Sequence, residues 1–239
     1  ALYIYGNKII EALFKESPMA HATQLIDAVK MNDDVAAARR ALKAGVSPDT
    51  KAGMDRTMLY FAADKGNKDM VELLLSYKAD PNHLDEEGFG PLHQAIAGGH
   101  FDIADMLIAA GAKVNAKDQY AILGLTPLHV AFNADLKDER IDRVIYMLDK
   151  GADDSLTDTS GRTVMATGRE RAGQFPFAGE IMTHMREWQQ NKADALAEAE
   201  RAAKAAAEAA IDNAVHGGLS ADTSVPRLNI RRRTPPIGS

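Results

Sequence analysis

Histidines are the side chains in this sequence that most directly suggest chemistry, because imidazole binds metals and exchanges protons near neutral pH. The chain has seven of them. His93 and His129 each follow a Pro-Leu pair, and His100 follows two glycines. None of the seven belongs to a His-Glu-x-x-His helix or to a comparable metal-ligand spacing. The sequence therefore predicts no metal site.

The glycine-rich and acidic segments offer no catalytic motif either. Gly88-Phe89-Gly90 and Gly98-Gly99 do not follow a strand that opens a nucleotide-binding helix, and no phosphate loop with Gly-Lys-Ser/Thr occurs. A serine nucleophile of the Gly-x-Ser-x-Gly type is missing as well. We interpret the acidic run Asp85-Glu86-Glu87 as solvated charge. We therefore expect no catalytic residues, no cofactor and no enzymatic activity.

The composition narrows the class of protein further. Hydrophobic residues make up 46% of the 239 residues, which is enough for a packed core. The formal net charge is -6, so we do not expect a nucleic-acid-binding body. No apolar run in the sequence is long enough to cross a membrane. Cysteine is absent, which excludes disulfides and thiolate zinc sites.

The elements that would position these residues repeat along the chain. The segment Thr57–Ala62 aligns with Gly90–Ala95 and with Thr126–Ala131. A weaker earlier copy is Thr23–Ala28, and a degraded later copy is Thr163–Gly168. Self-similarity at a fixed period is typical of arrays in which each unit packs on the next.

A second marker, at the end of each unit, measures the period. Gly45 to Lys78 is 33 residues, Lys78 to Gly111 is 33, and Gly111 to Gly151 is 40. The excess lies in two insertions, one before Gly124 and one around residues 134–139. Insertions confined to turns are what a repeat array tolerates.

Each unit reads as two short helices. Leu59 and Ala62 lie at the helical spacing of a first helix, and Val71 and Leu74 at that of a second. Thr and Pro before the first helix fit the N-cap and N1 positions, and a glycine after the second helix fits the left-handed C-cap. Lys78 departs from that glycine, so we expect its cap to be strained or built differently.

A period of 33 with Thr-Pro-Leu-His-x-Ala resembles the ankyrin repeat. Pro91–His93, Thr126–His129, Gly99-His100 and Gly111–Asn115 carry the resemblance, which covers residues 20 to 190. It implies an all-α ankyrin-repeat solenoid of about five helix-turn-helix units with β-hairpin-like fingers, flanked by an N-terminal helix and a long C-terminal helix. It also implies that His93 and His129 hydrogen-bond to backbone rather than bind a ligand.

We divide the chain into four parts. Residues 1–19 are predicted to be an N-terminal capping helix or a segment that follows a membrane anchor. Residues 20–190 form the repeat array, and 191–216 an Ala-rich extended helix. Residues 217–239 form a basic Pro/Arg tail. The helix is interpreted as a solvated spacer or a docking element, and the tail as a disordered end or a basic strap that orders on an acidic surface.

The resemblance further implies that fingers and first-helix ends line a concave face that holds a folded protein partner. By that resemblance the predicted partner-binding residues, to which the basic strap adds three arginines, are Met54, Arg56, Asp64, Lys65, Glu86, Glu87, Phe89, Gln119, Tyr120, Ile122, Leu123, Leu125, Asn133, Arg162, Arg231, Arg232 and Arg233.

The third finger is the strongest candidate for partner binding. Tyr120, Ile122, Leu123 and Leu125 place an apolar cluster in a loop that should otherwise be polar. Exposed apolar patches usually mark contact surfaces, and buried apolar anchors carry most interface energy. The other interpretation is that one or two of these side chains pack back under the finger.

The sequence thus favours a non-enzymatic protein–protein interaction module, a scaffold or an assembly subunit of a larger complex. The alternative is an inhibitor or immunity-type protein that occludes a partner enzyme's active site. We expect a protein partner, no nucleic acid, and membrane association only through a segment upstream of Ala1. A cytoplasmic location and, after removal of a signal peptide or anchor, a periplasmic or extracytoplasmic one both remain open.

Overall fold

The computed structural model describes residues 18–117, 122–133, 140–171 and 176–217. The predicted capping segment before residue 18 and the basic tail with Arg231, Arg232 and Arg233 lie outside the described residues, as do Gln119 and Tyr120. The chain divides into two compact units, Ala1–Trp188 and Gln189–Ser239.

Short helices in pairs make up the first unit, which confirms the prediction of an all-α solenoid. A π-helical segment, Ala28–Asn32, lies between the first two α-helices. The α-helices of the described residues are α1 (Pro18–Asp27), α2 (Val35–Lys43), α3 (Met58–Asp64), α4 (Lys68–Ser76), α5 (Pro91–Gly98), α6 (Phe101–Ala109), α7 (Pro127–Asn133), α8 (Arg140–Asp149), α9 (Val164–Arg171) and α10 (Pro176–Gly217).

Side chains at the helix starts explain where these helices begin. The carboxylate of Asp34, the hydroxyl of Thr57 and the carboxamide oxygen of Asn67 each accept a hydrogen bond from the backbone N–H three residues on. These are N-caps, which satisfy N–H groups that the helix itself leaves unpaired. Helices α5 and α7 begin at prolines, whose missing N–H costs nothing at that position.

The helix ends follow the predicted pattern with one departure. Gly45, Gly111 and Gly151 all have positive φ angles after the second helix of a unit. Lys78 occupies the same place with φ 69, so a side chain sits in the left-handed region that glycine normally fills. The expectation of a strained cap at this position is confirmed.

Pairs of helices share one apolar core. Leu59, Leu92 and Leu128 from successive first helices are buried, as are Ile103 and Val144 from second helices. Alanines such as Ala62 and Ala95 alternate with them, and small side chains let neighbouring helices approach closely. Because each pair buries its apolar face against the next, the stability of the array comes from stacking.

The loops between units are tied by a repeated hydrogen bond. A side-chain oxygen of Asp49 accepts from the N–H of Asp80 at 2.8 Å, and Asn82 accepts from Lys113 at 2.8 Å. Asn115 accepts from the N–H of Asp153 at 2.9 Å. These three residues occupy the same position in successive units, so each unit fixes the loop of the next. We call this series the loop ladder.

Four loops connect the units on the side of the first helices, and we call them fingers one to four. Finger one contains two short antiparallel strands, β1 (Lys51–Ala52) and β2 (Arg56–Thr57). Finger two spans residues 79–90 and finger three residues 112–126. Finger four, residues 152–163, has one isolated bridge between Thr157 and Thr163.

Helix α10 contributes to both compact units. Its first part places Ile181 and Met185 in the apolar core, and the indole N–H of Trp188 donates to Asp149 at 2.8 Å. These contacts attach the first part of α10 to the apolar core and to α8. In the second unit, residues 189–212 of the helix are almost entirely exposed, including Leu196 and Ile211. No helix among the described residues has the length and apolar character needed to cross a membrane.

Candidate functional site

Arg56 of finger one is bound by two carboxylates of finger two. Its Nε donates to Asp85 and its Nη2 to Glu87, both at 2.9 Å. The guanidinium also lies over the ring of Tyr60, 5.2 Å from its centroid. The hydrogen bond that Arg56 donates to Asp85 raises the pKa of Arg56 above its already high ordinary value. Arg56 and Glu87, both predicted contacts, thus hold fingers one and two together.

Asp85 is the residue on which finger two is built, and the interpretation of the acidic run as solvated charge is wrong for this carboxylate. Asp85 is only 3% exposed. Its Oδ1 accepts from the backbone N–H groups of Glu87 and Phe89, and its own N–H donates to the Phe89 carbonyl. Glu86, the middle residue of the run, is exposed. The carboxylate is buried because it has enough donors to compensate its desolvation.

Finger four repeats this turn. Asp158 Oδ1 accepts from the N–H groups of Ser160 and Arg162, and the Asp158 N–H donates to the Arg162 carbonyl. The Arg162 guanidinium returns to Asp158 at 3.1 Å and reaches Glu170 at 3.5 Å. Hydrogen bonds from the Arg162 backbone lower the pKa of Asp158 despite its burial. Arg162, another predicted contact, is thus also part of its own finger.

Finger three exposes apolar side chains on a tethered backbone. Ile122 is 83% exposed and Leu123 is 50% exposed. The hydroxyl of Thr159, in finger four, donates to the Ile122 carbonyl at 2.8 Å and lies 3.1 Å from the Leu123 carbonyl. The Thr159 N–H donates to Leu123 as well, at 3.1 Å, and the Lys117 ammonium donates to the Thr157 carbonyl. Ile122 and Leu123 therefore do not pack back under the finger.

Two buried histidines hold the bases of the fingers. The Nδ1 of His93 accepts from the Gly90 N–H at 3.0 Å, which leaves Nε2 to donate to the Leu125 carbonyl at 3.1 Å. His129 repeats the arrangement with Thr126 and with the Arg162 carbonyl. This confirms the expectation that both imidazoles bind backbone.

The protonation of these histidines follows from their surroundings. Complete burial lowers the pKa of His93 to about 4, although its backbone hydrogen bonds oppose the shift. Burial also lowers the pKa of His129. Both rings are neutral at pH 7, as the tautomer with one accepting and one donating nitrogen requires.

A groove of about 370 Å³ lies between the first helices and the fingers. Tyr60 of α3, Ala97 of α5 and Val130 of α7 contribute apolar surface from the helices, and Phe89 and Leu125 contribute it from fingers two and three. We call this the Ala97 groove. Burial raises the pKa of Tyr60 to about 12, so its phenol is neutral at pH 7.

Three polar side chains complete the lining of the Ala97 groove: Glu87, Gln94 and Asn133. A second groove, of about 230 Å³, lies between fingers three and four and also includes Leu125 and Asn133 in its lining. The two grooves therefore adjoin, and Ile122 and Leu123 line the second one. Chemically this surface offers apolar contact and hydrogen bonding.

The remaining predicted contacts among the described residues line neither groove. Met54 is 41% exposed, and its carbonyl accepts from the Glu86 N–H of the next finger. Asp64 is exposed at the end of α3. The Lys65 ammonium lies 3.1 Å from Asp33.

Sequence reasoning missed four residues of the Ala97 groove: Tyr60, Gln94, Ala97 and Val130. The repeat register could have found one of them. Ala97 occupies the position of Asp64 and Asn133 in the neighbouring units, both of which were predicted contacts. Because the side chain of Ala97 is smaller than those at the equivalent positions, it leaves an opening between the neighbouring units.

The described residues contain no group of three or more His, Asp or Glu side chains that could hold a metal ion.

Comparison with known proteins identifies the class. Residues 25–118 match the family model of ankyrin repeats, in 3 copies. Together with the stacked helix pairs, this shows that residues 25–118 contain ankyrin repeats. Ankyrin repeats generally mediate protein–protein interaction and are generally not enzymes.

Three curated relatives show how far the similarity extends. The chain is 39% identical over 97 residues to the RelA-associated inhibitor of Mus musculus, covering 41% of this chain and 11% of that protein. It is 30% identical over 118 residues to an ankyrin repeat-containing protein of Schizosaccharomyces pombe, covering 49% and 52%. It is 36% identical over 110 residues to BCL-6 corepressor-like protein 1 of Homo sapiens, covering 46% and 6%. The chain thus spans about half or less of the length of these relatives.

Proposed function

We propose that this chain is a non-enzymatic protein-binding module, a scaffold or assembly subunit, that holds a protein partner against finger three and the adjoining grooves. The observation that carries the proposal is the exposure of Ile122 and Leu123, at 83% and 50%, on a finger held by Thr159. Exposed aliphatic side chains on a tethered loop gain free energy when a partner covers them.

The tethering of finger three matters as much as its apolar side chains. Binding normally has to order the loops at an interface, and that ordering reduces affinity. The hydrogen bonds from Thr159 to the Ile122 and Leu123 carbonyls reduce this loss. A partner would then meet an anchor that is already in position.

The second unit supplies further docking elements in this proposal. Leu196 and Ile211 are 62% and 64% exposed on the Ala-rich part of α10. The basic tail, whose Arg231, Arg232 and Arg233 lie outside the described residues, would add attraction to an acidic partner. Deleting residues 218–239 tests this: unchanged affinity and unchanged salt dependence would remove the tail from the proposal.

The experiment for finger three is a capture comparison. The full chain, the double variant Ile122→Asp with Leu123→Asp, and the control Met31→Asp are each immobilised and exposed to a lysate of the cells that produce the protein. Met31 is 74% exposed but lies in the first unit's π-helical segment, away from the fingers. Proteins captured by the wild type and by Met31→Asp, and lost with the double variant, are the expected partners. Identical capture by all three proteins would contradict the assignment of finger three.

A second candidate function is that of an inhibitor that occludes a partner enzyme. The same observation favours it, because Ile122 projects an aliphatic side chain from a tethered finger into solvent. One relative is named an inhibitor, the RelA-associated inhibitor of Mus musculus. Activity assays on any captured enzyme, with wild type and with the double variant, separate the two functions: only an inhibitor would abolish activity through Ile122 and Leu123.

A further inference from the structure

We propose that the Ala97 groove receives a linear segment of the partner in which an apolar side chain stands next to a lysine or arginine. This inference rests on the proposed function and specifies the partner's chemistry at the same surface. The apolar side chain would enter between Phe89, Ala97 and Leu125, and the cationic group would bind Glu87.

The apolar half of the proposal follows from the shape of the groove. The positions equivalent to Ala97 in the two neighbouring units are occupied by the larger side chains Asp64 and Asn133. The smaller side chain of Ala97 therefore leaves an opening. Tyr60, Phe89 and Leu125 then bound that opening with apolar surface. A volume of about 370 Å³ lies near the lower end of ligand pockets, about 300–1,000 Å³. The groove is wide open to solvent, so an apolar side chain of a bound segment can enter it from outside.

The cationic half follows from the charges around the groove. Glu87 lines it, and its carboxylate side chain is 45% exposed. The ion-pair partner of Glu87, Arg56, is already shared between Asp85 and Glu87, so these three residues carry an excess negative charge. Glu86, next along finger two, is exposed. None of the described residues that line the groove is cationic. Arg143, which donates to a backbone carbonyl of the groove, is fully buried. An incoming lysine or arginine is therefore attracted by the more exposed Glu87 and Glu86.

Gln94 supplies a means of orienting the segment. Its side chain lines the groove, and within the described part of the chain its carboxamide makes no hydrogen bond. A carboxamide both donates and accepts, so it can pair with the N–H and C=O groups of an extended peptide. The side chain therefore suits a segment whose backbone is accessible.

The test is a peptide selection on the full chain. A phage-displayed library of random linear peptides is panned on the immobilised wild-type protein, and enriched peptides are synthesised and titrated by fluorescence anisotropy. We expect the enriched sequences to share an aliphatic or aromatic residue beside lysine or arginine. Their affinity should fall about tenfold or more with Ala97→Leu, which fills the groove.

Matched variants control for nonspecific effects. Ala109→Leu makes the same change at an exposed position of α6 in the same unit, and it should leave affinity unchanged. Glu87→Gln should weaken binding several-fold and reduce its salt dependence, whereas Glu72→Gln, on the exposed face of α4, should not. Thermal melts of each variant show whether the fold is retained.

Three outcomes would overturn the inference: no enriched peptides, enriched peptides without the apolar–basic pair, or binding that ignores Ala97→Leu. If proteins captured from lysate still depend on Ile122 and Leu123 in any of these cases, the groove assignment alone fails. If capture is also independent of Ile122 and Leu123, the proposed function fails with it.

Discussion

In finger two the side chains make the hydrogen bonds that hold the loop, whereas in finger three the backbone carbonyls accept them. Asp85 and Glu87 are bound to Arg56 and to their own turn. Ile122 and Leu123 are held by Thr159 through their carbonyls, and their side chains remain in solvent. The polar side chains of finger two are occupied by hydrogen bonds that hold the fingers themselves. The apolar side chains of finger three make no such bonds, so they stay available for a partner.

Removing the buried carboxylate should have the largest effect on stability. Asp85→Ala deletes the acceptor for the N–H groups of Glu87 and Phe89 and leaves Arg56 without its buried partner. We expect a loss of about 2–3 kcal/mol in the free energy of unfolding, measured by urea titration. Glu86→Ala, one residue along and exposed, is the control and should change stability little. Equal effects of the two variants would show that finger two does not depend on its side chains.

Acid should weaken the link between the two fingers. His93 connects Gly90 of finger two to Leu125 of finger three, and its pKa is lowered from 6.5 to about 4 by burial. Between those values the unfolded chain binds a proton that the folded chain does not, so stability falls as pH falls. From pH 7 to pH 5 the contribution of His93 should decline by about 2 kcal/mol.

Urea titrations at pH 7 and pH 5 measure this decline, and His93→Gln should remove most of it. The pKa of His129 is also lowered, so a smaller dependence of the same sign should remain. The pKa values of Asp105 and Asp158 are lowered below 3.8, so these carboxylates stay ionised at pH 5 and their contributions are lost only at more acidic pH. A wild-type stability that does not change between pH 7 and pH 5 would contradict the neutral, buried state of His93.

The tether of finger three should contribute less. Thr159→Val removes the hydroxyl that donates to the Ile122 and Leu123 carbonyls and keeps the side-chain shape. Because Thr159 is exposed, we expect a loss of about 1 kcal/mol or less. Hydrogen exchange of the Thr159 amide, which donates to Leu123, should become faster in this variant. Thr159→Ser keeps the hydroxyl and should exchange at the wild-type rate.

The exposed apolar side chains should matter least for folding. Ile122→Ser leaves the carbonyl contact in place and removes only a side chain that is 83% exposed. We expect a change within about 0.5 kcal/mol, measured by urea titration. A large loss of stability would mean that finger three, like finger two, uses its side chains for its own structure. Phe89→Ala in finger two is the contrasting variant. It should lower the free energy of unfolding more than Ile122→Ser does, because the Phe89 ring is partly buried beside His93.

Much of the fold could be predicted because the repeat places the same side chain in the same role. The glycines after second helices and the histidines after Pro-Leu pairs have the geometry that their positions indicated. The domain boundaries at residues 19, 190 and 216 remain predictions. The structure itself divides after Trp188.

The candidate site was harder to predict because its main features depend on distant residues. Asp85 looks like one acid among three, and only the donors around it explain its burial. The sequence did contain a clue, since Asp85 and Asp158 both stand three residues before a glycine. The opening at Ala97 arises because its side chain is only a methyl group, and a search for reactive chemical groups does not detect such a position. The tether of Ile122 comes from Thr159, 37 residues away.

The loop ladder has a mechanical consequence. Asp49, Asn82 and Asn115 each accept a hydrogen bond from the loop of the next unit, so each bond of the ladder connects adjacent units only. When the protein is pulled, its units should therefore unfold one after another, starting from the less stable end of the array. A partner bound at finger three would stabilise the units next to that finger and leave the units at the far end free to unfold.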